Sequence, residues 1–268
     1  MYTYPTCVSR ENWLLAALPA PERGRWLRRM DRIDLPRGSV LYEAGETLKH
    51  VWFPTTSVVS LLHAMEDGAS SEVAVVGHEG VVGLSLFMGC ETTPSRAVVQ
   101  SGGGALRMRA GSFIEEFDRG GTPMHLLLRY TESLIVQMAQ TAACNRHHSI
   151  DQQLCRRLLL SLDRTESNEI VMTQEVIASM LGVRREGVTV AAGHLNREGL
   201  ISSRRGHITV LDRAGLAQRT CECYAVVRRE FDRLRPPLAA RPATRESGLS
   251  PRLGKSTRAK SVSVNPAF

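Results

Sequence analysis

No apolar run in the 268 residues approaches the roughly 18–20 needed to cross a bilayer as a helix, which excludes a membrane-spanning helix. The opening residues, MYTYPTCVSRENW, have neither a basic start nor an apolar core. They do not read as a secretory signal, so a cytoplasmic location with no membrane partner is expected. Cysteine is sparse and scattered: Cys7, Cys90, Cys144, Cys155, Cys221 and Cys223. No two CxxC pairs exist, so a zinc site is not expected, and free thiols in a reducing compartment are the reading. His50, His63 and His78 stand alone, and no His-x-His pair with a nearby glutamate supports a metal-dependent enzyme. His147 and His148 are adjacent, so on a helix they point in different directions. No nucleophile–base pair and no phosphate loop stands out. An enzyme is therefore the least supported class, and the residues identify no metal, no cofactor and no effector.

What remains is an ordinary folded composition, 43% hydrophobic, long enough for one or two domains. The net charge of +7 invites a nucleic-acid argument but is unevenly placed. Residues 235–268 hold seven basic side chains against one acidic, so the rest of the chain carries only +1. That final stretch is rich in Pro, Ser, Ala and Arg, and it is expected to be a disordered basic tail. It either adds non-specific attraction to phosphates or is a solvated extension.

The most informative stretch is 173–208, TQEVIASMLGVRREGVTVAAGHLNREGLISSRRGHI. Thr173 suits an N-cap, and Val176, Ile177, Met180 and Leu181 recur at spacings of three and four, predicting a helix over 174–181. Gly182 suits the left-handed residue that ends it. A second helix starts near Arg184, with Val188, Ala192 and Leu195 as its buried seam. Leu200 and Ile201 start a strand, Arg204-Arg205-Gly206 makes a basic turn, and 208–211 returns. Helix, tight turn, helix and basic hairpin are the parts of a winged helix-turn-helix, whose second helix enters the DNA major groove. The plainer alternative is a helical hairpin with a surface loop. The pattern TQE-x-x-A-x-x-LG-V-x-RE-x-V, followed by L-x-REGLI and RRGHITVLDRAGL, closely resembles the DNA-reading module of the Crp/Fnr family of bacterial transcription regulators.

Around that module the chain divides into 1–121, 122–148, 149–234 and 235–268. Residues 10–30 predict two short helices broken by Pro19 and Pro21. From 33 to 117, short β-rich runs are punctuated by turns every eight to twelve residues, predicting a compact all-β roll. The run G-x-x-LY-x-x-GE at 38–46 resembles the family's sensor β-roll. A break at Gly120-Gly121 precedes a long helix, 124–146, with Thr122 as N-cap and Pro123 at its first position. A helix at 150–162 leads the DNA-binding domain, a short strand at 169–172 precedes the motif, and one helix is expected over 212–234. The fold class is thus α+β: an N-terminal antiparallel β-roll, a long connecting dimerisation helix and a C-terminal winged helix-turn-helix.

The resemblance implies site roles. It assigns Arg185 to guanine and Glu186 to cytosine, and side-chain chemistry agrees: an arginine fork donates to guanine, and a glutamate accepts from the cytosine amine. The other reading is a solvated helix start. Relatives carry another arginine where this chain has Thr189-Val190, so Val190 is a candidate for a thymine methyl. Thr173, Gln174, Arg184, Arg204, Arg205 and His207 are candidates for the rest of the DNA surface, mostly as phosphate contacts. Gly187 and Gly193 either permit close backbone approach or are tolerated in the helix.

In cyclic-nucleotide-binding relatives a short helix and an arginine hold the phosphate while a glutamate takes the ribose. Here the matching segments are 80–86 and 94–98. Gly83, Leu84, Ser85, Ser95 and Arg96 form the candidate effector pocket. Leu84 stands where the glutamate should be, and Arg96 is one residue from the expected register, so cyclic AMP is not the expected ligand. Glu72, His78 and Glu79 read either as polar lining or as strand-end loop residues. Relatives with an iron–sulfur cluster group several N-terminal cysteines, and Cys7 stands by itself.

Leu127, Thr131, Leu134, Met138 and Thr141 form a heptad-like stripe, with Leu128, Ile135 and Ala142 beside it; the first stripe is the predicted dimer face, and the plainer alternative is a helix that only packs its own domains together. The function implied is a homodimeric regulator reading a palindromic site in double-stranded DNA, with RNA polymerase as a further partner. The competing reading is a small-molecule or redox sensor acting through protein contacts, its DNA module weakened.

Overall fold

The structure, a computed structural model, describes residues 11–66 and 68–236. Cys7 and nearly all of the expected basic tail lie outside the described residues. Two short helices come first, α1 (Trp13–Ala16) and α2 (Ala20–Leu27), on either side of Pro19. Asn12 fixes them. Its carbonyl oxygen accepts from the Leu14 and Leu15 amides at 3.1 and 3.3 Å, and its amide donates to the Pro54 and Gly80 carbonyls at 3.0 and 2.7 Å. One buried side chain thereby caps a helix and ties it to the body that follows.

Seven strands build that body: β1 (Met30–Leu35), β2 (Val40–Tyr42), β3 (His50–Pro54), β4 (Val58–Ala64), β5 (Ser70–Val76), β6 (Ser95–Ser101) and β7 (Gly103–Arg109). They form two antiparallel sheets, ordered β1-β7-β3 and β2-β6-β4-β5. Buried Val51, Phe53, Val59, Ala97, Val99 and Met108 fill the core between them. The β-texture was expected to continue to 117, but Ala110–Asp118 is a helix, α3. Phe113 and Phe117, one turn apart, both meet the Phe87 ring, at 6.1 and 4.6 Å. Fully buried Glu116 pairs with Arg25 at 2.7 Å. A helical period thus overrides the strand texture around it.

Helix α4 (Gly121–His147) has 27 residues, starting one residue ahead of the expected Thr122 cap. Gly120, left-handed at φ 70°, turns the chain into it. At 1.5 Å per residue the helix is about 40 Å long. Among the described residues no helix is long and apolar enough to cross a membrane. Ser149 then caps α5 (Ile150–Leu162) in a capping box with Gln152.

One leucine face of α5 was expected to be buried. In fact every residue from 153 to 162 is buried, because the helix lies between the roll and the C-terminal helices. Arg157 donates to Glu72 at 2.7 Å, to Ser161 at 2.6 Å and to the Gln100 side chain. Arg164, just beyond α5, donates to Glu79 at 2.7 Å. Glu72, on β5, and Glu79, in the turn that follows β5, are therefore anchors for α5 and the turn after it, and Glu79 also lines a small cleft with His78.

The C-terminal domain holds α6 (Gln174–Leu181), α7 (Arg185–Arg197) and a sheet of β8 (Glu169–Val171), β9 (Ile201–Arg204) and β10 (His207–Val210), ordered β8-β10-β9. The single helix expected over 212–234 is two: α8 (Arg213–Arg219), capped by Asp212, and α9 (Glu222–Asp232). Extended Thr220 and Cys221 separate them. The break lets α9 turn back onto α4, where Ser133 donates to the Glu230 carbonyl at 3.4 Å. Arg235 sits 4.9 Å over the Trp13 ring.

Candidate nucleic-acid interface

The helix-turn-helix forms as its local chemistry dictates. The Thr173 hydroxyl accepts from the Val176 amide at 3.2 Å, and Gly182 ends α6 at φ 65°. In α7, Val188, Ala191, Ala192 and Leu195 are buried. The opposite face carries Arg185, Glu186, Thr189 and Val190, all exposed, with Val190 at 57%.

The wing turns on Arg205 at φ 45° and Gly206 at φ 84°, two successive left-handed residues as a type I′ hairpin requires. For arginine that conformation costs about 1–2 kcal/mol. Arg204 and Arg205 stand exposed at the tip. Contacts draw the pieces together. Thr189 donates to the Gln174 side chain at 2.7 Å, and the Arg185 Nε lies 3.9 Å from Glu175. A Cβ on Gly206 would sit 3.3 Å from the Thr173 methyl. His207 Nδ1 meets Glu169 at 2.5 Å. Among the described residues, Arg184, Arg204 and Arg205 have no acidic partner.

The two glycines of α7 differ. A Cβ on Gly187 would come within 2.7 Å of the Ile150 side chain, whereas one on Gly193 meets nothing within 4 Å. Gly187 is a close approach of α7 to α5; Gly193 is not held by any such contact.

The candidate effector residues lie on two elements, Gly83, Leu84 and Ser85 at a short turn and Ser95 and Arg96 on β6. Gly83, left-handed at φ 100°, precedes a short 3-10 turn, Leu84–Met88. Phe87 of that turn packs toward α3. On β6 the side chains alternate. Fully buried Ala97 faces inward, so Ser95 shares its side and Arg96 takes the other. Arg96 pairs with Glu43 at 3.0 Å and lines a cleft of about 480 Å³ with Val98, Gln100, Val176 and Ser179, between the sheet and α6. Gly83, Leu84 and Ser85 do not line it. The one-residue offset in the sequence is thus a change of face.

A cyclic nucleotide-binding domain model matches residues 32–119, and a Crp-like helix-turn-helix domain model matches residues 152–219. The chain belongs to the Crp/Fnr family. It is a transcription regulator with a helix-turn-helix DNA-binding domain. Among solved structures it is similar to FixK2 from Bradyrhizobium japonicum, at 16% identity and TM-score 0.59, over 72% of this chain and 98% of that one. It is similar to the c-di-GMP responsive global regulator CLP from Xanthomonas campestris, at 14% identity and TM-score 0.58, over 72% of this chain and 100% of that one. A CRP-family transcriptional regulator from Thermus thermophilus is 18% identical at TM-score 0.59, over 70% of this chain and 95% of that one. At such identities the likeness is one of fold. Among curated proteins none matches by sequence.

The stripe expected to face a partner in this Crp/Fnr chain is largely buried within the protomer. Leu127 and Leu134 are only 2% and 3% exposed, part of the protomer's own core, and Thr131, Met138 and Thr141 are half-buried. The neighbouring stripe is the open one: Leu128 is 47% and Ile135 53% exposed, with Ala142 a further two turns on. Two adjacent apolar stripes look alike in sequence, and packing of α4 on the roll and α9 decides which is buried and which stays exposed.

Sequence reasoning missed two features. The first is the pair of buried ion pairs that seat α5. The second is a cluster of Cys144, His148, Cys221 and Cys223, whose ligating atoms all lie within 4.8 Å of one another. Burial pushes the Cys144 thiol up to about 12 and raises that of Cys223. The available signal was the i,i+4 spacing of Cys144 and His148, which shares a helix face. The distant Cys221-x-Cys223 joins it only through the break between α8 and α9.

Proposed function

We propose that this chain is a homodimer that reads a palindromic DNA site by inserting α7 of each protomer into successive major grooves. The observation that carries this is the face of α7 opposite its buried seam. It presents a guanidinium, a carboxylate and an apolar side chain to solvent beside a wing whose two arginines are exposed. Arg185 takes guanine O6 and N7, Glu186 accepts from cytosine N4, and Val190 meets a thymine methyl. Arg184, Thr189, Arg204, Arg205, His207 and the start of α6, Thr173 and Gln174, set position through the backbone. The dimer forms through Leu128, Ile135 and Ala142 rather than the neighbouring stripe.

The roll does not take cyclic AMP in this reading. Leu84 offers no acceptor for a ribose hydroxyl, and Arg96 points to the outer face. The protein acts in the cytoplasm and contacts RNA polymerase at its promoters.

Selection of fragmented genomic DNA with the purified chain, at moderate salt, tests the proposal. The expected product is a palindrome with half-sites about one helical turn, roughly 10–10.5 base pairs, apart. Enrichment of no palindrome refutes it.

A further inference from the structure

Four side chains converge where the last turn of α4 meets the first turn of α9. The Cys144 and Cys221 sulfurs lie 3.6 Å apart, and the Cys223 sulfur lies 3.6 Å from His148 Nδ1. We propose that Cys144, His148, Cys221 and Cys223 bind one tetrahedral metal ion of the zinc class.

Geometry sets the nuclearity. A tetrahedral ion with metal–sulfur bonds near 2.3 Å and a metal–nitrogen bond near 2.0 Å needs ligand atoms about 3.5–3.8 Å apart. The two closest contacts here are of that size, and the remaining separations stay within 4.8 Å. A multi-iron cluster places iron and sulfide atoms between its thiolates and holds them much farther apart. Three thiolates and an imidazole also select against the hard cations magnesium and calcium.

The surroundings have the features of a built site. While Nδ1 of His148 faces the sulfurs, its Nε2 lies 3.3 Å from the Glu222 carboxylate. A carboxylate on the outer nitrogen is the usual support of a metal-bound histidine. Gln153 donates to the His148 and Cys144 carbonyls at 2.8 and 3.4 Å, holding the end of α4 in place.

Charge supplies an independent argument. Arg156 is 3% exposed; one guanidinium nitrogen donates to the Thr141 hydroxyl at 3.3 Å, and its Nε has no hydrogen-bond partner. Among the described residues it faces no carboxylate, and its field acts on Cys144 and Cys223. A buried guanidinium without a counter-charge is costly. Three thiolates around a divalent ion carry a net charge of −1, which supplies the missing counter-charge. Each thiol exchanges its proton for a bond to the ion, and the imidazole binds neutral. The ion would then clip α9 to the end of α4 across the joint from which α5 departs.

The full chain, purified under reducing conditions and stripped with a chelator, is titrated with Co²⁺. One equivalent per chain is expected, with the visible bands of tetrahedral cobalt and thiolate-to-cobalt charge transfer, all displaced by Zn²⁺. Cys221→Ser and Cys223→Ser should lose the charge-transfer intensity, while Cys155→Ser, at a buried cysteine outside the cluster, should keep it. Since serine variants risk misfolding, native mass spectrometry of the wild-type chain before and after chelation reads the same stoichiometry, with circular dichroism reporting the fold. A reduced, folded wild-type chain that takes up no cobalt overturns the proposal. So does a spectrum of oxygen-ligated cobalt, undiminished binding in folded Cys221→Ser and Cys223→Ser, labile sulfide in the purified chain, or a Cys144–Cys221 disulfide whose reduction restores no metal binding.

Discussion

Replacing Glu72 with glutamine tests how firmly the DNA-binding domain's first helix is seated on the roll. The Arg157 side chain is 2% exposed, and Glu72 is its carboxylate partner at 2.7 Å. Its other partners, Gln100, Ser161 and the Met180 sulfur, are neutral. Removing the carboxylate leaves a buried cation unpaired, which costs about 3–5 kcal/mol. Glutamine keeps one acceptor, so the lower end is expected. For a body of this size each kcal/mol lowers the melting temperature by about 2–4 °C, giving a fall on the order of 6–12 °C. Glu43→Gln is the control. Its partner Arg96 is 42% exposed, and such pairs are worth about 0–1 kcal/mol. Urea unfolding followed by tryptophan fluorescence measures both. Joint replacement of Glu72 and Arg157 by methionine should recover most of the loss, since it removes the charge along with its partner. If Glu72→Gln costs no more than Glu43→Gln, α5 is not buried against the roll in solution, and the reasoning fails.

Four further outcomes follow from the same structure. Arg185→Ala should weaken specific DNA binding by about 1–3 kcal/mol and relax preference at one base pair, whereas Arg205→Ala should weaken all sequences alike and lower the salt slope by about one; fluorescence anisotropy across a salt series separates them. Ile135→Glu should yield monomers in sedimentation, while Leu127→Ala should leave association intact and cost about 2–5 kcal/mol of folding stability. Gly193→Ala should stabilise the chain by roughly 0.5–1 kcal/mol by helix propensity, and Gly187→Ala should destabilise it through Ile150, both read as shifts in urea midpoint. Burial beside the Trp13 ring lowers the pKa of His78 below the ordinary value of 6.5. The unfolded chain then binds the proton first as pH falls, so this contribution is intact above pH 6.5 and is lost as pH drops below it. His78→Gln should flatten the difference in stability between about pH 7.5 and 5.5.

Much of the C-terminal domain was readable because its signals are local. Thr173 caps a helix by reaching three residues ahead, Gly182 ends it through its own φ, and Val188, Ala192 and Leu195 share a face by helical period alone. The Arg-Gly turn of the wing likewise needs only its own backbone. These features lie within a few residues of their causes.

Other features depended on partners far along the chain. The stripe through Leu127 and the stripe through Leu128 are equally periodic, and only the packing of α4 decided which became core. Arg96 carries the right charge, but strand alternation, set by where Ala97 is buried, turned it to the other face. Glu72 and Arg157 are 85 residues apart, as are Glu79 and Arg164. Cys144 reaches Cys221 across 77. A sequence specifies the short-range period of its elements directly. Which sides of those elements meet is settled by burial, a property of the whole chain, and there the tertiary structure alone decided.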